Sequence, residues 1–175
     1  MAEELVNRVA ESSLVTLDLE EFYPKEEKAS FDVKDFLFMG LILKEKDFRE
    51  ALKNLDWSSY SNKNVAVYCS ADAIIPVWAY MLVATYLEPV AKRTYFCEEK
   101  ELDTVIFRQI IDNLDATPYK GQRIIIKGCS QKPVPVSAYL DITRKLRPVA
   151  RSLMYGEACS NVPLFKQKSA PTPSL

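Results

Sequence analysis

The sequence predicts an α/β fold with a doubly wound, mainly parallel sheet. Three observations lead there. The chain contains an internal duplication, each copy alternates helix and strand, and the strands are almost continuously apolar.

The duplication comes first because it organises the rest. Phe48–Tyr60 (FREALKNLDWSSY) lies over Phe107–Tyr119 (FRQIIDNLDATPY) at an offset of 59, with six of thirteen positions identical. The same offset places PVWAYMLVATYLEPVA, from Pro76, over PVSAYLDITRKLRPVA, from Pro135, with eight of sixteen identical. Between these blocks VAVYCS and IIIKGCS align after a one-residue gap, so Cys69-Ser70 matches Cys129-Ser130. One unit is therefore used twice, over about 46–97 and 105–156. Two copies suggest a pseudo-symmetric domain, not a solenoid.

Each copy opens on a helix. In the second it spans about 101–114, with Leu102, Val105, Ile106, Ile110, Ile111 and Leu114 at helical spacing. Asn-Leu-Asp and a polar loop end it. A short strand follows, Val65–Tyr68 or Ile124–Ile126, and stops at Cys-Ser. The next helix has Pro76 or Pro135 at its first turn, where no donor is needed. Pro89 or Pro148 ends it, because proline disfavours helix in the residue before it. Arg93–Cys97 or Ser152–Tyr155 then forms a final strand. The simplest closure puts the two cysteine-bearing strands side by side at the centre of one sheet.

Before the repeats, Leu14–Leu19 and Ala29–Val33 flank Tyr23-Pro24-Lys25-Glu26 and read as a β-hairpin-like segment. Asp35–Leu43 suits a helix or a strand equally. Residues 1–165 read as a single domain, and the polar, proline-containing tail 166–175 as disordered.

Composition excludes several classes of function. There is no histidine, which removes Ser-His-Asp and Cys-His catalysis and every imidazole-ligated metal site. The four glycines fit neither GxGxxG nor GxxxxGK, so no nucleotide motif is present. Lys plus Arg number 23 against 24 Asp plus Glu, giving a net charge of −1 and no basic excess for nucleic acid. The longest apolar stretch, Ala73–Leu87, is interrupted by Pro76 and is shorter than the roughly 20 residues that span a bilayer. The N-terminal MAEELVNRVAESS lacks an apolar signal core, so a cytoplasmic protein with no membrane partner is expected. In that reducing compartment four cysteines read as thiols or metal ligands.

The cysteines carry the functional argument. In open α/β sheets ligands bind beyond the carboxyl ends of the strands, and Cys69 and Cys129 fall at such ends. Cys159 follows the last strand, and Cys97 follows its counterpart. Cys69, Cys129 and Cys159 each precede a serine: Ser70, Ser130 and Ser160. On neighbouring strands about 4.8 Å apart, Cys69 and Cys129 would share one ion, with Cys159 as third ligand. Asp72 or Glu157 then becomes a candidate for the fourth position, beside water or a partner. An open position also favours a homodimer. Cys97, on an outer strand, is the least suited. Thiolates suit zinc, copper(I) or an iron–sulfur cluster, and softness alone does not choose among them.

Two other readings stay open. A thiol before a helix N-terminus, with Lys127 and Lys132 bracketing Cys129, suits thiol-dependent chemistry on a small anionic substrate. Alternatively each cysteine is a buried small hydrophobe in a structural or partner-binding protein without chemistry of its own. No catalytic residue is assigned.

The segments LVTLDLEEFYP, GLILKEKDFRE, VYCSADAIIPVWAYMLVATYLEP, KGCSQKPVPVSAYLDITRKLRPVA and MYGEACSNVPL resemble a bacterial family found largely in Bacteroidetes, the domain of unknown function DUF2480. The resemblance covers the chain to about Phe165. It implies a stand-alone α/β protein and an association with iron–sulfur cluster assembly proteins. Cys69, Cys129 and Cys159 lie inside the family-like motifs, and Cys97, in YFCEEKE, lies outside them.

Overall fold

The structure is a computed structural model that describes residues 14–128 and 131–168. The fold is α/β and mainly parallel. Contacts divide the chain into two compact units, residues 24–106 and residues 1–23 with 107–175.

The unit of residues 24–106 has a three-stranded parallel sheet. Its strands are β2 (Lys28–Asp32), β3 (Asn64–Tyr68) and β4 (Arg93–Phe96), in the spatial order β2-β3-β4. Helix α1 (Glu45–Asn54) buries Phe48 and Leu52, which are four residues apart and so share a face. Glu45 and Asp47 in its first turn and Lys53 in its last complement the helix dipole. Helix α2 (Val77–Leu87) is capped by Pro76 and buries Ala79, Val83 and Leu87 at the same spacing. These side chains form one core with Phe31, Val33, Val65 and Val67. Trp57 stacks on Phe31 and on Tyr86, and its indole N–H donates to the Leu52 carbonyl. Trp78 meets Phe48 edge-on, so both tryptophans pack.

The other unit repeats this plan. Its sheet has the order β1-β5-β6-β7, with β1 (Leu14–Asp18), β5 (Arg123–Lys127) and β6 (Ser152–Glu157) parallel. Helix α3 (Leu102–Asp112) leads into it, and α4 (Val136–Leu146) buries Ala138, Ile142 and Leu146, the counterparts of Ala79, Val83 and Leu87. These join Leu17, Leu19, Ile124, Ile126 and Leu153 in a separate core. A seventh strand, β7 (Ser160–Lys166), pairs antiparallel with β6 through a two-residue turn. Pro163 is tolerated because β7 is an edge strand with a register irregularity opposite it.

Three expectations are corrected. The cysteine-bearing strands β3 and β5 belong to different sheets and are not neighbours. The two segments flanking Tyr23-Pro24 do not form a hairpin, since β1 pairs with β5 and β2 with β3. Both errors have one cause: each copy recruits its own N-terminal strand. β1 and β2 run parallel to the central strand of their own unit, so neither needs the other copy as neighbour. The repeat thus begins one strand earlier than its helices suggest. Finally, Lys166 closes β7 instead of opening a disordered tail. Residues 169–175 lie outside the described residues, as do residues 1–13.

Candidate functional site

Both units build the same apparatus at the carboxyl ends of their parallel strands, around an aspartate that ends the first strand. Asp32 closes β2, and Asp18 closes β1. Each caps a short 3-10 turn: Asp32 accepts from the Lys34 N–H and Asp18 from the Glu20 N–H, both at 2.9 Å. Phe36 and Phe22 end those turns. The pattern Asp-x-x-x-Phe at residues 18–22 and 32–36 was legible at an offset of 14, away from the offset of 59 that marks the rest of the repeat.

In the unit of residues 24–106, Asp32 also holds the turn after β3. The Ser70 N–H donates to its Oδ1 at 3.0 Å, and the Ser70 hydroxyl donates to its Oδ2. Burial raises the Asp32 pKa. The two Ser70 bonds, the Lys34 N–H and the Lys34 charge outweigh it, so the carboxyl titrates below its usual range. Cys69 is half-buried, and its thiol donates to the Ala71 carbonyl at 3.7 Å. Tyr80, on α2, stands close enough to Cys69 and Asp32 to feel their charges. Burial, with those charges, pushes its phenol up. Phe96 meets the Tyr80 ring edge-on at 5.0 Å. Asp72 is exposed in the loop beyond.

In the other unit, Lys127 pairs with Asp18 at 3.3 Å. The hydrogen bond to Asp18, then the charges of Glu157, Asp18 and Glu20, raise its pKa. Glu20 is buried and accepts from the Gln131 N–H at 3.0 Å, while the Lys132 ammonium donates to the Glu20 carbonyl. Lys127, Lys132 and Glu157 are thus held in one neighbourhood with Asp18 and Glu20. Tyr139 meets Tyr155 edge-on at 5.8 Å, matching Tyr80 and Phe96.

Of the predicted ligands, Cys69 sits in the first of these sites. Cys159 is exposed in the β6–β7 turn of the other unit, and Ser160, also exposed, begins β7. Cys129 and Ser130 lie outside the described residues. The strands β3 and β5 are not paired, so the register argument for a common ion does not apply. Cys97 follows β4, the strand that does neighbour β3, and is buried. Burial, then the Glu101 charge, raises its thiol pKa. Among the described residues no group of three Cys, Asp or Glu side chains is placed to hold a metal ion. A three-thiolate site would need Cys129.

A large concavity lies in the same unit as Cys159. It is an open groove of about 920 Å³ between the outer side of α4 and the β6–β7 ribbon. Val136, Leu140, Tyr155, Val162 and Leu164 line it, and all five are exposed. Asp141, Arg144 and Arg147 supply polar edges. Sequence reasoning missed this groove because β7 was not foreseen. The helical half was visible, as Val136 and Leu140 fall off the stripe of Ala138, Ile142 and Leu146.

A family described as a protein of unknown function matches residues 3–167. No curated protein and no solved structure matches the chain.

Proposed function

The chain therefore belongs to the DUF2480 family, and from that premise we propose that it is a partner-binding protein whose groove receives an apolar segment of another protein. The observation that carries this is the groove itself. Five large apolar side chains stay in water around one concavity, with charged groups at its edge. An apolar centre with a polar rim is how binding surfaces concentrate their energy. Arg147, over the Phe165 ring at 3.8 Å, presents a cation there and favours an acidic flank on the partner. Panning a displayed peptide library against the purified protein tests the reading. Enriched peptides should carry apolar anchors beside Asp or Glu, and Leu140→Glu should abolish their binding while circular dichroism stays unchanged. Binders indifferent to Leu140 and Tyr155 would sink it.

A second reading has support of its own. Cys69 and Cys159 are free thiols, neither deeply buried, and both follow carboxyl ends of parallel strands. In this reading Cys69, Cys129 and Cys159 are thiolate ligands of zinc or an iron–sulfur cluster, and the protein is an accessory to iron–sulfur assembly proteins in the cytoplasm. Elemental analysis and anaerobic absorption spectra of wild type, against Cys69→Ser, Cys129→Ser and Cys159→Ser, decide it. Among the described residues no helix is long and apolar enough to cross a membrane.

A further inference from the structure

The two units differ at one edge of their sheets. In the unit with the groove, the outer edge of β6 is covered by antiparallel β7. In the unit of residues 24–106, the matching strand β4 ends the sheet, with no strand beyond it among the described residues. Three of its four residues are exposed, and Phe96, the counterpart of Tyr155, is 76% exposed. Ile74, Val77 and Met81 are exposed in the same unit, at 95%, 73% and 64%. An open strand edge that carries an exposed apolar side chain is a template for another strand.

We propose that the occupant is β4 of a second copy, running antiparallel and joining two three-stranded sheets across a twofold axis. The charge order of the segment selects this partner. Lys92 and Arg93 lead into β4, and Glu98 and Glu99 follow it. Antiparallel self-pairing sets the basic end of each strand against the acidic end of the other, twice. Parallel pairing would set like charges together, which is destabilising. Glu98 shares a capping box with Glu101 in the turn after β4, and the ion pairs of these groups are weak. Lys92 meets Glu26 at 3.7 Å, and Glu98 meets Lys100 at 2.7 Å, both at the surface. Exposed pairs of this kind contribute little. The covered half of the comparison is within the chain: β7 lies antiparallel on the matching edge, that of β6. Pairing also covers Phe96 in both copies. This inference is independent of the groove, which lies in the other unit.

Light scattering and sedimentation of the full chain test it by charge reversal. Wild type should be a dimer at micromolar concentration. Arg93→Glu and Glu98→Arg should each weaken the dimer at least about tenfold, since each sets like charges across the axis. The double variant should restore it, because the reversed charges pair again. Circular dichroism should be the same for all four proteins. A monomeric wild type at about 100 μM, dimerisation indifferent to either single reversal, or a double variant no better than the singles would each overturn the proposal. Peptide binding at the groove is read separately, so either result can fail without the other.

Discussion

Gly128 is the residue by which the second copy exceeds the first between strand and Cys-Ser. Its φ is +155°, and a Cβ there would lie 2.8 Å from the Tyr139 hydroxyl oxygen and 3.3 Å from the Leu19 Cβ. Gly128→Ala should cost about 1–3 kcal/mol, read as a lower urea midpoint at unchanged slope. Asp32 makes a pH prediction. Its folded pKa is lowered, so its contribution to stability is complete above the unfolded value of about 3.9. That contribution is lost as pH falls through the lower folded value. Asp32→Asn should therefore be less stable than wild type at neutral pH, and the gap should close in that acid window. Thiol reactivity separates the cysteines by exposure. Among the described thiols, alkylation followed by peptide mass spectrometry should modify Cys159 first and Cys69 more slowly. Cys97 should come last, because it is buried and its thiol pKa is raised. Modification of Cys97 ahead of Cys159 would contradict this placement.

At the scale of the element, one helix presents both a core face and a surface face, and the two should respond differently to the same truncation. Leu146 of α4 is fully buried, whereas Leu140 is 66% exposed. Leu146→Ala should cost about 2–5 kcal/mol by denaturant titration. Leu140→Ala should stay within about 0.5 kcal/mol. The helices and central strands were legible to within a few residues because their signals are local. Ala79, Val83 and Leu87 show period and punctuation together, between Pro76 and Pro89. The pairing of strands was not legible. Leu14–Asp18 and Lys28–Asp32 have the sequence of any two short strands, and what fixes their partners is contact with strands far along the chain. β7 was hidden because Pro163 speaks against a strand unless the strand is known to be an edge. Cys69, Cys97 and Cys159 follow β3, β4 and β6, but which strand ends are neighbours depends on that same pairing.

For the whole molecule, two separate cores imply two responses to damage. Leu87→Ala, in one core, and Leu146→Ala, in the other, should each lower hydrogen-exchange protection chiefly in the strands of their own unit. Equal loss of protection in both sheets would show that the cores unfold as one. The chain route also sets an order in time. The unit of residues 24–106 is continuous, while its companion is interrupted by it. On the ribosome β1 emerges first, yet its partner β5 begins at Arg123. At elongation rates of about 5–20 residues per second, roughly 5–20 s pass between them. In that interval the interposed unit is complete and able to fold, while Leu14-Val15-Thr16-Leu17 waits as an unpaired β-rich segment. Nascent chains halted before Arg123 should therefore hold one protease-resistant fragment and a cleavable N-terminus, and they are the species on which a holding chaperone would act.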